Sequence, residues 1–470
     1  MTVRIAVIGA GPGGYAAAAR AAQLGARVCL VEKEGIGGTC LHRGCIPSKV
    51  LKTSAELFGR IQQADQFGIR LEGAAGIDLA ALMARKRRII QTQSEGIAHL
   101  LHRHGVTLVR GTAHIAGPGR IAVTEDGGGH RIIEWERLII AAGTIPAALP
   151  GIPFDGRTVI SSDHALDLPA LPESLLIVGG GVIGCEFACI LSAMGCRVTM
   201  VEALDRLLPL PSIDADCSKV LLREMKKRKI RVLLGHGVNR AASSANGIDV
   251  TAAPLNGEGP GQHLHADRML VCIGRRPDTA GLGLDQLGLQ CSPQGWIDAD
   301  AGLRTSIPGV YAIGDILGPQ KVMLAHVAST EGRIAAENAL GADQVMRYDA
   351  VPSAIFTMPE VAAVGLSEAQ AHTAGLDARS ETVLFRIIGK AQVLGELAGE
   401  AKIVFEAHSG RLLGAHFIGP QATDLIAEAT LAVTKGYTIH ELADTIHAHP
   451  TLAEIMGEAA LKSAGKALHG

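Results

Sequence analysis

The sequence predicts an α/β chain in which two Rossmann-like dinucleotide-binding units are joined by a mixed α+β region at the C-terminal end. Three observations carry that expectation. Residues 5–32, IAVIGAGPGGYAAAARAAQLGARVCLVE, align without a gap on residues 175–202, LLIVGGGVIGCEFACILSAMGCRVTMVE. Further apolar runs stop at a glycine or an acid: LIIAAG at 138–143, MLVCIG at 269–274 and YAIGD at 311–315. From about Asp349 the nucleotide-type glycines cease, and mixed strand and helix patterns run to a helical tail.

Each repeat reads as an apolar strand, a G-x-G-x-x-G turn, a small-residue helix, a second apolar strand and an acid. The first glycine of each set, Gly9 or Gly179, makes the turn. The second, Gly11 or Gly181, lets backbone amides approach a pyrophosphate. The third, Gly14 or Gly184, lets helix and strand pack closely, and the phosphates then face a helix N-terminus. Glu32 and Glu202 stand where a carboxylate accepts hydrogen bonds from a ribose 2′-OH. Two complete copies predict two separate dinucleotide sites. Glu202 also favours NAD, because a carboxylate repels the 2′-phosphate of NADP, although Arg206 lies close enough to offset it.

Composition narrows the class. Lys and Arg number 44 against 46 Asp and Glu, which leaves no basic excess for nucleic acid or a membrane surface. The run Lys226-Lys227-Arg228-Lys229 is expected at a helix end, where the dipole favours cations. Aromatic residues are only 3% of the chain while glycines number 58, so the cores must be aliphatic and the turns tight. A strand pattern from Val3 to Ile8 begins where a secretory signal would run. The longest uncharged run, Leu138 to Phe154, contains Pro146, Pro150 and Pro153 and cannot be a membrane-spanning helix. A cytoplasmic protein is the expectation. Nine cysteines without a regular framework do not suggest structural disulfides.

Cys40 and Cys45 stand apart from the other cysteines. They lie in GGTCLHRGCIPSK, residues 37–49, among glycines that free backbone amides and beside Lys49, which adds positive charge. Thiol–disulfide exchange needs a thiolate, and such surroundings lower a thiol pKa. Their spacing is not that of a zinc ribbon, and no second pair completes a four-cysteine site. Cys185, Cys189 and Cys196 in the second repeat are expected to be small buried hydrophobes. A nicotinamide moves hydride, a flavin hands electrons on, and a dithiol exchanges them as a disulfide, so two nucleotide sites and this pair form one chemical set.

These residues, with YAIGD, LAHVASTEG (324–332), TMPEVAAVGLSE (357–368) and HAHPTLAE (447–454), resemble the flavin-dependent pyridine nucleotide-disulfide oxidoreductases of class I. The likeness covers essentially the whole chain, with its motifs in family order. It implies an FAD-binding domain at 1–148 completed by 273–348, an NAD-binding domain at 149–272 and a dimerisation domain at 349–470. FAD would rest on Gly9, Gly11, Gly14 and Glu32, with Lys49, Ala113, Gly143, Asp315 and Ala325. NAD would rest on Gly179, Gly181, Gly184 and Glu202, with Val238 and Gly274. Cys45 would face the flavin as the charge-transfer thiolate, Cys40 would exchange with substrate, and Lys49 would pair with Glu186.

HAHPTLAE supplies what thiol exchange still requires, a base. A histidine titrates in the right range, and a carboxylate on its other nitrogen fixes the tautomer. The resemblance assigns His449 as that base and Glu454 as its partner, contributed by the other subunit of a homodimer. No carboxylate or thiol at ligand spacing makes His447 and His449 a metal site, so no metal is expected. Departures from the family pattern are mild. His42-Arg43 replaces Asn-Val between the thiols, where it could tune their pKa. AAGT replaces ATGS at 141–144, which removes one hydroxyl contact near the flavin.

The resemblance is strongest to the branch that oxidises dihydrolipoyl groups with NAD⁺. The lipoyl carrier is then expected to be a separate protein, of a 2-oxoacid dehydrogenase, acetoin or glycine cleavage system or another lipoyl-binding type. Mercuric and large thioredoxin reductases need cysteines after Cys291, and glutathione reductase needs a basic pocket where Glu202 stands. An NAD(P)H-dependent reductase of another disulfide and a non-catalytic docking subunit are the alternatives.

Overall fold

In the computed structural model, which describes residues 2–257, 259–467 and 469, the first repeat forms the centre of a seven-stranded sheet. Strands Arg4–Ile8 and Arg27–Glu32 run parallel, with Ile5 opposite Val28 and Ile8 opposite Val31. The order across the sheet is Val310–Ala312, Arg137–Ile140, Arg4–Ile8, Arg27–Glu32, Thr107–Gly117, Arg120–Glu125 and His130–Glu134. The first five are parallel and the last two fold back antiparallel. Near-continuous apolar strands suit a parallel sheet covered on both faces, and Ile5, Val7, Leu30 and Ile139 are fully buried.

The helix Pro12–Gln23 follows the first strand because Pro12 presets the first helical turn and the following alanines favour propagation. Its small face lets the helix Ala325–Ala339 approach closely. A Cβ on Gly332 would lie 2.2 Å from the Gly13 carbonyl oxygen. Residues 1–51, 78–147 and 274–348 together make this unit.

A second unit comprises residues 52–77, 148–273 and 349–470. The second repeat lies in a parallel sheet ordered Arg231–Leu234, Arg197–Glu202, Ser174–Val178, Arg268–Val271 and Val159–Ile160. Three antiparallel strands, His236–Ser244, Gly247–Pro254 and Gln262–Ala266, pack Ile248 and Val250 against Leu176 and Met269. The basic run caps the helix Ala215–Lys227 at its C-terminal end, as its sequence predicts. Beyond residue 349, five antiparallel strands run in the order Ser353–Ile355, Glu360–Gly365, Leu412–Gly419, Glu400–Glu406 and Ala378–Leu384. Their core joins Phe385, Ile403 and Phe417 to Ile426 and Ile455 of covering helices. Among the described residues no helix is long and apolar enough to cross a membrane.

Candidate active site

The two glycine turns are built alike, down to individual bonds. The amides of Gly9 and Gly179 donate to Val31 and Val201 carbonyls, each at 2.8 Å. The first glycines have φ of 97° and 109°, and a Cβ there would strike the carbonyl oxygens of Ala141 and Cys272 at 2.3 and 2.4 Å. At the third glycines, Gly14 and Gly184, a Cβ would lie 1.8 and 1.9 Å from the carbonyl oxygens of the first. The protein's own packing therefore demands glycine at both places.

The middle glycines differ. Gly11 and Gly181 cap their helices in extended conformations (φ −66° and −74°) that any residue adopts. A Cβ on either would meet nothing within 4 Å. Nothing in the polypeptide requires glycine there. A ligand drawn against the helix N-terminus would, and the open space at both turns fits a dinucleotide pyrophosphate.

The acids that close the repeats are also held identically. Glu32 accepts from the amides of Ala10 (2.6 Å) and Glu34 (2.8 Å), while Glu202 accepts from those of Gly180 and Leu204 (2.7 Å). Both are buried, and burial pushes the Glu32 carboxyl up against the pull of its amide donors. A carboxylate with two or three such donors keeps a lone pair for a ribose hydroxyl. Arg206 is engaged elsewhere. Its guanidinium donates to the carbonyls of Leu210 and Ile213, each at 3.0 Å, and to Ser218 Oγ.

Cys40 lies in the short helix Gly38–Arg43, and Cys45 opens the longer helix Cys45–Gln62. The two sulfurs are thiols that share a hydrogen bond. That bond first, and burial second, push the Cys40 thiol up, while Lys49 pulls the other way. Tyr15, from the first fingerprint helix, is close enough to Cys40 to feel its charge, a neighbour that chain spacing does not disclose. His42 and Arg43 turn to the preceding loop: His42 Nε2 lies 2.9 Å from the Ile36 carbonyl, and Arg43 pairs with Glu34.

In the same unit the YAIGD turn places Asp315 behind Thr144, whose hydroxyl donates to it at 3.2 Å. Arg275 holds Thr144 through its hydroxyl and carbonyl, both at 2.7 Å. The hydroxyl of AAGT thus serves the acid of YAIGD. Glu331, only 1% exposed, accepts from the Gly314 amide and the Tyr348 hydroxyl, each at 2.6 Å, and so fixes the turn from its other side. Ala325 begins the helix Ala325–Ala339, Ala113 is buried on the strand Thr107–Gly117, and Gly143 takes φ 72°. Gly274 opens the last segment of this unit, whereas Val238 lies at a strand irregularity in the other.

Lys49 belongs to the first unit and Glu186 to the second, where the buried Glu186 carboxylate accepts from the Phe356 amide at 2.9 Å. His449 and Glu454 come together at 2.8 Å through Nδ1, leaving Nε2 outward on a side chain 76% exposed. Burial works to raise Glu454, but its bonds from His449 and the Thr451 amide outweigh it and hold the carboxyl below its ordinary range. His447 turns instead to Glu428 at 2.9 Å. Among the described residues no three ligand side chains cluster as a metal site.

Two nucleotide cradles and a dithiol define a flavin- and nicotinamide-dependent disulfide oxidoreductase, and comparison with known proteins agrees. The profile of the pyridine nucleotide-disulphide oxidoreductases matches residues 3–332, and that of their dimerisation domain matches 351–460. The chain belongs to this family, whose cofactors are FAD and a pyridine nucleotide. It is 41% identical to the dihydrolipoyl dehydrogenase of Chlamydia muridarum over 98% of this chain and 97% of that one. With the Bacillus subtilis dihydrolipoyl dehydrogenase it shares 39% over 99% and 98%. The crystal structure of LpdA from Mycobacterium tuberculosis superposes with a TM-score of 0.90 at 31% identity, over 98% of this chain and 99% of that one. The copper(II) complex of RclA, a HOCl-induced flavoprotein disulfide reductase of Escherichia coli, gives 0.85 at 26%, over 98% and 99%.

Proposed function

We propose that the chain oxidises protein-bound dihydrolipoyl groups to the lipoyl disulfide with NAD⁺ as acceptor. The observation that carries this reading is the hydrogen-bonded Cys40–Cys45 thiol pair in the same unit as the first nucleotide cradle. Relatives named dihydrolipoyl dehydrogenase, similar from end to end, support it. Residues 1–148 with 273–348 serve as the FAD domain, 149–272 as the NAD domain and 349–470 as the dimerisation domain.

Bound FAD supplies the carrier through which two electrons pass from the dithiol to NAD⁺. The protein's own steps are acid–base and thiol exchange. His449 of one subunit, its imidazolium stabilised by Glu454, takes the proton from a dihydrolipoyl thiol. The resulting thiolate attacks Cys40 sulfur in the Cys40–Cys45 disulfide; an S–S bond forms to Cys40 and Cys45 leaves as thiolate. The second lipoyl sulfur then attacks the first, closing the lipoyl ring and expelling Cys40, which takes up the proton that the second lipoyl thiol releases, while the first proton stays on His449. Lys49, with Glu186 as counter-ion, compensates the Cys45 charge. A histidine so exposed in one chain suits delivery to a second subunit, and the homodimer is the working unit. The carrier is a separate lipoyl protein of a 2-oxoacid dehydrogenase, acetoin, glycine cleavage or related system, in a reducing cytoplasm where this disulfide exists only in turnover.

The test is initial rates with dihydrolipoamide and NAD⁺ or NADP⁺, for the native chain beside Cys45→Ser and His449→Ala. Rapid NAD⁺ reduction, abolished by the first change and lowered about 100-fold or more by the second, is expected. No turnover from a flavin-loaded protein would refute the substrate assignment.

A further inference from the structure

The helix that begins at Cys45 carries a second lysine whose presence the reaction does not explain. Cys45, Lys49, Lys52 and Glu56 recur at four, seven and eleven residues, so they share one face of the helix Cys45–Gln62. Lys52 has a side chain only 7% exposed, at a position where leucine would pack without desolvating a charge. Its ammonium instead lies 2.9 Å from Glu56 and also binds Glu360. Glu360, from TMPEVAAVG, accepts in addition from Thr423 Oγ at 2.7 Å and the Thr423 amide at 3.2 Å. The Phe356 ring lies 5.6 Å from the ammonium, and the Phe356 amide is the donor to Glu186.

Burial would drive such a lysine toward neutrality, yet the two carboxylates overcome it and hold the group charged. The cluster therefore contains one cation and two anions, about two helical turns (roughly 10 Å) from Cys45. The remaining charges nearby are Glu396, which faces Glu56 and is paired with Arg60, and Glu186 beyond Phe356. Around the thiols themselves stand Lys49 and Tyr15.

We propose that Lys52 is a positioning residue for the redox pair: it is the counter-ion that keeps Glu56 and Glu360 from opposing the Cys45 thiolate. The inference rests on the reading of Cys45 as the thiolate that faces the flavin. Its signature is a reversal of sign. Removing Lys52 leaves uncompensated negative charge on the helix face and disfavours the thiolate. Removing Glu360 leaves Lys52 balanced against Glu56, one negative charge fewer than in the native cluster, and favours it. A merely structural brace would respond to both changes in the same direction.

The experiment is a pH titration of the thiolate–flavin charge-transfer absorbance of the two-electron-reduced, full-length holoenzyme. Lys52→Met is expected to raise the apparent pKa by about half a unit to one unit, and Glu360→Gln to lower it by a similar amount. The double variant should return close to the native value. If Lys52→Met does not fold, Glu360→Gln decides alone, because it removes a charge without opening a cavity. Shifts of the same sign, or a native band that neither folded variant moves, overturn this inference and leave the proposed function standing. Absence of the band in the native flavoprotein overturns the reading of Cys45 and the inference together.

Discussion

Replacing Gly181 and Gly184 separately by alanine should divide ligand binding from folding within one turn. At Gly181 the backbone is already acceptable to alanine (φ −74°, ψ −170°), and the new methyl meets no protein atom within 4 Å. The gain from a stiffer unfolded chain, about 0.4–1 kcal/mol, is offset by a few tenths because glycine caps a helix better than alanine. Stability should stay within roughly 0.5 kcal/mol of native. The methyl nonetheless occupies the space a pyrophosphate needs to reach the helix amides. Loss of one charge-assisted hydrogen bond, about 1.5–3 kcal/mol, weakens NAD⁺ by about 10- to 150-fold. At Gly184 the methyl would sit 1.9 Å from the Gly179 carbonyl oxygen, and backbone must move by more than an ångström. Such overpacking costs about 1–3 kcal/mol or more. Calorimetric titration with NAD⁺ reads the first effect and thermal unfolding of the flavin-loaded protein the second. Unchanged NAD⁺ affinity in Gly181→Ala, or destabilisation equal to that of Gly184→Ala, would refute the assignment of the open space to a nucleotide.

Two further outcomes concern acid–base behaviour. Glu454→Gln should lower kcat/KM for dihydrolipoamide about 10-fold or more, since the His449 ring loses the acceptor that fixes its tautomer; an unchanged rate would remove Glu454 from that role. Because the folded Glu454 carboxyl is depressed, its contribution to stability is complete above the ordinary value of 4.5 and is lost only as pH falls through the folded one, so neutral-pH melting tests a different property. His416 behaves in the opposite sense from a paired histidine. It is fully buried, Nε2 lies 3.2 Å from the Leu366 carbonyl, Nδ1 has no partner among the described residues, and burial lowers its pKa despite Asp214 nearby. The folded chain keeps this ring neutral, so stability is complete above about pH 6.5 and falls below it, by up to about 1.4 kcal/mol per pH unit. His416→Phe should flatten that slope in denaturant titrations at pH 7 and pH 5, and an unaltered slope would show that other groups dominate.

The glycine repeats could be read directly because each glycine answers a local steric or ligand demand, and such demands recur at fixed spacing. The strands LIIAAG, MLVCIG and YAIGD were legible for a related reason: a strand covered on both faces is apolar throughout. What spacing does not disclose is contact between distant segments. Thr144 braces Asp315 across 171 positions of chain, and Glu331 reaches the YAIGD turn through Gly314 and Tyr348. Arg206 stands near Glu202 in sequence, and only its bonds to Leu210 and Ile213 reveal that it is engaged. His42 and Arg43 likewise lie between the thiols in sequence while bonding to Ile36 and Glu34.

The seven-stranded sheet imposes an order on the chain's birth. Its edge strand Val310–Ala312 lies beside Arg137–Ile140, and between them the ribosome must deliver the whole parallel sheet of the second repeat. Until residue 312 emerges, Arg137–Ile140 is a bare, apolar edge of the kind that pairs with the wrong partner. The parallel sheet of the inserted repeat has all its strands by Val271, so the nascent chain completes the strands of the second sheet before those of the first. Slow synthesis between residues 140 and 312, or a fragment that stops short of 310, therefore leaves the seven-stranded sheet with an open edge prone to aggregation, whereas the parallel sheet of the second repeat already has its full set of strands.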